Sequence, residues 1–201
     1  MMTASVPNRR VIPLHPGRAQ HTTNHVGMIL ALVAFTMMFG GLFYAYGLLR
    51  IRSVAWPPPG VPQMPLVLPT IITVMLAGSA AAVELARKAL RRNDKIGFQR
   101  WTMGAIILGT LFIGLQASIW VDLWSAGLTL AIGPYGSMFY FLTAFHALHV
   151  VAGLVILGWL YVAAPRASSP VIRNSRAQLS AYFWHFVGAV WLIIFFLAYV
   201  F

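Results

Sequence analysis

The chain contains no cysteine and only three acidic residues in 201. The missing thiols exclude disulfides, iron–sulfur ligation and cysteine-ligated zinc or copper. The acids are Glu84, Asp94 and Asp122, and none falls in the middle of an apolar run. A proton pump or cation-coupled transporter usually needs such a buried carboxylate, so this chain alone is a poor candidate for either. Charge of both signs is scarce: 8% of residues are charged, against about 25% in a soluble domain. There is no internal repeat and no inverted symmetry of broken helices, which further weakens a transporter reading.

What is present is apolar sequence, at 60% of residues. It falls into five runs of the length that crosses a bilayer core: about 26–49, 66–86, 101–121, 136–163 and 178–201. The fold class is therefore all-α, a polytopic membrane protein with a bundle of five transmembrane helices spanning 26–201. Residues 1–25 read as a polar tail, disordered or draped on the surface. The apolar run after it is too long for a signal core, so no cleavable leader is expected. The proline-rich stretch SVAWPPPGVPQMP (53–65) reads as an extended, ordered outer loop.

Twelve of the fourteen basic residues lie in the tail, the loop between spans two and three and the loop between spans four and five. Those segments share one side of a five-span chain, and only Arg50 and Arg52 lie on the other. The positive-inside rule then places the N-terminus in the cytoplasm and the C-terminus outward. The net charge of +11 is thus an orientation signal and a candidate attraction for anionic lipid head groups, not a nucleic-acid interface.

Polar side chains within the spans are few. Glu84 precedes Arg87 and Lys88 at i+3 and i+4, the order that favours a helix ion pair. With Arg91 and Asp122, they are the candidates for head-group or interface charge. Asp94 reads as a solvated charge. His146 and His149 share one helix face, and His185 lies in the last span. Imidazole in a membrane span is costly and needs a partner or a purpose. Three readings stay open: hydrogen bonds between packed helices, a three-histidine metal or bis-histidine haem site, and proton transfer. Ligating histidines usually have carboxylate support. Here the nearby candidates are Thr143, Tyr140, Tyr182, Gln116 and backbone carbonyls, which favours interhelical contact. His146, His149, His185, Gln116 and Trp184 are accordingly the candidate interhelical polar residues. Trp101, Trp120, Trp124 and Trp184 fall near span edges and read as an interfacial belt. Gly41 with Ala45, then Gly104, Gly109, Gly114, Gly153 and Gly188, are suited to close helix packing.

Three segments carry a resemblance: IILGTLFIGLQAS (106–118), PYGSMFYFLTAFHALHVVAGL (134–154) and YFWHFVGAVWLIIFFLAYV (182–200). They resemble subunit III of the haem–copper oxidases, the cytochrome c and quinol oxidase family, in its short five-helix form. Phe145 to Val150 match the family's Phe-His-(Gly/Ala)-Leu-His-Val pattern. Trp184, His185, Phe186, Val187 and Trp191 match its last helix. The match extends more loosely from FYAYGLL (43–49) onward.

The resemblance implies a subunit with no catalytic residue, cofactor or metal of its own. It implies haem and copper in a partner subunit I, with subunit II and a small subunit IV nearby. It also implies bound phospholipid, support of proton uptake and sustained turnover, and a multi-pass place in a bacterial cytoplasmic (inner) membrane. Alternatives are an accessory subunit of a nitric oxide reductase and a small bis-histidine haem electron carrier. Electron donor, haem type and substrate are not written in this chain. Two positions depart from the family pattern: Phe35 stands where a buried glutamate is usual, and Gly188 where an acidic residue follows Trp-His-Phe-Val. Asp122 falls where the family often has an acid.

Overall fold

The computed structural model describes residues 16–61, 66–166 and 169–200, with side chains from residue 22 onward. Five long helices follow one another: α1 (Pro16–Arg52), α2 (Val67–Arg91), α3 (Lys95–Ser125), α4 (Pro134–Ala163) and α5 (Pro170–Phe195). A 3-10 turn, Leu130–Ile132, precedes α4, and a π-helical turn, Phe196–Val200, extends α5. All five helices are long and apolar enough to cross a membrane. That is the solution hydrocarbon imposes, because a helix satisfies its backbone groups internally.

Local sequence sets the helix ends. The α2–α3 turn passes through Asn93 at φ 60. Asp94 then caps α3, its carboxylate accepting the Gly97 N–H at 2.8 Å. Gly133 precedes α4 at φ 121, in the region that favours glycine. Pro134 and Pro170 open α4 and α5, where a missing N–H costs nothing.

Helix α2 packs on α3, α3 on α4, α4 on α5, and α5 back on α2, closing a ring of four. Helix α1 lies outside this ring, against α5 and α4. The ring is filled by Phe112, Leu142, Val150, Trp184, Val187 and Trp191, all fully buried. A smaller cluster of Leu90, Phe98, Leu160 and Ala177 closes its basic end.

The start of α1 differs from expectation. Helix α1 begins at Pro16, ten residues before the expected span, so the second part of the polar tail is helical. The polar residues 20–25 contain no proline or glycine to stop the helix continuing past the apolar run. Residues 1–15 lie outside the described residues. Of the proline-rich loop, 53–61 is non-helical as expected, and 62–65 lie outside the described residues. Trp56 fixes this loop, its ring edge-on to both Tyr46 and Tyr135 at 5.4 and 4.9 Å.

Candidate functional site

The structure sends the three membrane histidines to different places. His146, on α4, faces the ring interior at 1% exposure. Neither of its ring nitrogens has a hydrogen-bond partner among the described residues. It is enclosed by aromatic rings instead: Trp191 lies 5.3 Å away between centroids, Phe112 6.1 Å and Phe39 6.4 Å. His149, one turn on, is buried toward α1. Its Nδ1 bonds the Phe145 carbonyl of its own helix at 2.8 Å. Phe35 and Phe39 meet its ring at 4.8 and 5.2 Å. Phe35 therefore stands directly on His149. His185, on α5, turns to the outer surface facing α2. Its Nε2 is 3.9 Å from Glu84 Oε2, and its side chain is 44% exposed.

Among the described residues neither His146 nor His149 bonds a side chain of another helix, and other residues make the interhelical hydrogen bonds. Three relays do this, each running from an indole N–H through a hydroxyl to a carbonyl. Trp184 Nε1 donates to Ser79 Oγ at 3.2 Å, and Ser79 donates to Ala105 O at 2.8 Å, tying α5, α2 and α3. Trp191 Nε1 donates to Thr73 Oγ1 at 2.9 Å, and Thr73 to Pro69 O at 2.7 Å. Trp120 Nε1 donates to Thr143 Oγ1 at 3.0 Å, and Thr143 to Phe139 O at 2.7 Å. Each hydroxyl both accepts and donates, so neither it nor the indole N–H it serves is stranded in hydrocarbon. Gln116 joins this set by donating from Nε2 to the Tyr199 hydroxyl at 3.2 Å, with its own Oε1 unpaired.

Trp184 is consequently not a belt residue. At 1% exposure it is the centre of the ring, while Trp101 and Trp124 do lie at the surface. Gly109 and Gly153 make room for it. A Cβ on Gly109 would stand 2.9 Å from the indole, and one on Gly153 2.8 Å from it. Gly41, Gly104, Gly114 and Gly188, also expected to serve close packing, face open space.

Beyond the ring, Tyr46 of α1 donates to Leu197 O at 2.6 Å and accepts from Trp56 Nε1 at 3.1 Å. The π-helical turn is where that carbonyl becomes free to accept. At the basic end, buried Arg173 donates to Asn93 Oδ1 at 3.0 Å, and Arg176 lies over the Trp159 ring at 5.1 Å. Glu84 pairs with Arg87 at 2.7 Å, as its spacing predicts. Lys88, Arg91 and Asp122 are exposed.

Ser79, Thr73, Tyr46 and Tyr199 were not among the residues that sequence reasoning singled out. One signal pointed toward them. Trp184 and Trp191 are seven residues apart and share a helix face, a stripe of indole donors that requires acceptors on the neighbouring helix.

The three membrane histidines do not converge on one point. Among the described residues no three His, Asp or Glu side chains come together. His146 is sealed by rings, and His185 opens on the opposite side of α5.

Residues 15–201 match the family model described as cytochrome c oxidase subunit III. The cytochrome c oxidase subunit 3 of Synechocystis is 34% identical over 190 residues, covering 92% of this chain and 80% of that protein. The subunit 3 of Thermostichus vulcanus is 32% identical, covering 87% and 86%. A probable cytochrome c oxidase subunit 3 of Mycobacterium tuberculosis is 32% identical, covering 85% and 84%.

Proposed function

This chain belongs to the cytochrome c oxidase subunit III family, and we propose that it is the non-catalytic subunit III of a haem–copper terminal oxidase. It packs on the catalytic subunit I, beside subunit II and a small subunit IV, in a bacterial cytoplasmic membrane. Haem and copper reside in subunit I. This chain contributes a rigid helical surface, bound phospholipid, and support for proton uptake and for the lifetime of the complex during turnover. Its basic side faces the cytoplasm.

The observation that carries the non-catalytic reading is the divergence of the three histidines. One is caged by aromatic rings, one is bonded to its own helix, and one faces a carboxylate that an arginine already pairs. A bis-histidine haem would need two of them to converge from different helices. The outer surface of α1 supports the subunit reading. Only 6% of its membrane window is buried, against 44% in α4 and α5, leaving most of that helix for lipid or a partner.

The test is co-purification of the affinity-tagged chain from its own membrane in mild detergent. A haem–copper subunit should accompany it in equal amount with a Soret band. The isolated polypeptide should show none. A Soret band that stays with this chain alone, or a complex with no haem–copper subunit, would overturn the proposal.

A further inference from the structure

Arg173 is a buried cation without an anion. It stands in the first turn of α5 at 7% exposure. A guanidinium carries five N–H donors. Among the described residues its one acceptor is Asn93 Oδ1 at 3.0 Å, a neutral amide, and its Nε has no partner. None of the three acids in the chain serves it. Glu84 pairs with Arg87, Asp94 caps α3 through the Gly97 N–H, and Asp122 belongs to the far end of α3. The carbonyls of Lys88, Ala89 and Leu90, which end α2, go to N–H groups of the turn itself. The surroundings add more positive charge. Arg92 and Lys95 flank Asn93 on the exposed α2–α3 turn, and Arg176 lies three residues along α5.

A charge so enclosed is costly unless an opposite charge reaches it. The chain has no fourth acid, so that charge must come from another molecule. Two observations say what kind. From Arg173 to Val200 the helix rises about 40 Å, against a hydrocarbon core of about 30 Å. The guanidinium therefore stands outside the core on the basic side, where a protein side chain can approach from water. Asn93, its hydrogen-bond partner, is exposed at the mouth of the site. A carboxylate fixed on a docked chain is also present at high effective concentration, which a free anion at this rim is not.

We propose that Arg173, held in place by Asn93, receives an aspartate or glutamate carboxylate from a cytoplasmic segment of a neighbouring subunit. Arg92 and Lys95 add attraction at the rim. This deepens the partner part of the proposed function and rests on that reading for the complex in which the chain sits.

Arg173→Met, measured in two settings, tests it. In the isolated full chain it removes an uncompensated charge, so the unfolding temperature should stay equal or rise. In the complex purified from its own membrane it leaves the neighbour's carboxylate buried alone. The tagged chain should then dissociate at least about thirtyfold faster. Arg92→Gln with Lys95→Gln, at the exposed rim, should speed dissociation by about fivefold or less. A structure of the complex should show a carboxylate of another chain within hydrogen-bond distance of the guanidinium.

A lower unfolding temperature of the isolated Arg173→Met chain would make Arg173 a structural residue and overturn the proposal. So would dissociation of the Arg173→Met complex at the parent's rate, or an equal effect from the rim pair. A phosphate on the guanidinium in place of a carboxylate, whether free or borne by a lipid, would overturn it too. A complex with no haem–copper subunit would sink the subunit reading, while faster release of Arg173→Met from the chain that does accompany it would support this one. A haem–copper complex indifferent to Arg173→Met would sink this one alone.

Discussion

The four-helix ring and α1 solve the same problem by different means. Both are helices in hydrocarbon, where burying apolar surface gives no advantage over lipid and association depends on packing and hydrogen bonds. The ring uses both. Glycines at 109 and 153 let the Trp184 indole lie flat between α3 and α4, and hydroxyl relays take up the N–H of three tryptophans. Helix α1 uses mostly ring-to-ring contact, Phe35 and Phe39 on His149 and Phe145, with hydrogen-bonded points near its ends. Those points are His25 with Ser175 at one end and Tyr46 with Leu197 at the other. The ring is thus built to hold itself, and α1 to be held. A helix so lightly attached gains most from further contact with lipid or a partner.

The largest expected effect breaks the ring at its centre. Trp184→Ala removes one of its two buried indoles and should cost about 3–5 kcal/mol, read as unfolding in mixed micelles. Gly153→Leu should come close, because the atoms it meets belong to a stiff indole that cannot yield, and overpacking of this kind costs about 1–3 kcal/mol or more. The same change at Gly41, which faces open space on α1, should leave the isolated chain folded. Equal losses at Gly153 and Gly41 would erase the distinction between the two regions.

Next comes the attachment of α1. Tyr46→Phe keeps the ring and removes the hydroxyl that joins the π-helical turn to α1. About 1 kcal/mol of that contact should go. The sharper readout is local: hydrogen exchange should rise in the last turns of α1 and around Leu197, and stay unchanged in α3 and α4. Exchange spreading through all five helices would show that α1 and the ring unfold as one unit. Ser79→Ala makes the matching change inside the ring, stranding the Trp184 N–H, and should cost about 0.6–1.7 kcal/mol.

The spans and the family were legible in the sequence because length and apolarity are local properties. Which residues carry the helix contacts was not, because that depends on facing. Trp184 lies seven residues into the expected span, where a belt residue is plausible. The helix in fact starts at Pro170, fourteen residues earlier, and places the indole deep in the ring. The glycines were visible as small residues, but only the structure says that two of them touch an indole and four face outward. Glu84 and His185 are a hundred residues apart, and no periodicity joins them. The Phe35 departure, by contrast, was legible as a position and gained its meaning from contact. The ring on His149 is aromatic where the family pattern leads one to expect a carboxylate.

The smallest effect belongs to the residue that first invites a functional reading. His146 sits in the ring interior with both nitrogens unpaired, packed against Trp191, Phe112 and Phe39. A buried polar group without a partner costs stability, and replacing it with an apolar group of similar shape can be nearly neutral or stabilising. His146→Phe keeps an aromatic ring of similar breadth, so the lost desolvation penalty offsets the slight overpacking. The change in unfolding free energy should lie within about 1 kcal/mol of zero. His149→Phe should cost more, since Nδ1 gives up the Phe145 carbonyl in a tightly walled site. A large loss at His146 would mean that its nitrogens have a partner in the membrane. The interior of the ring would then hold a polar contact of its own, and the contrast with α1 would rest on more than the three tryptophan relays.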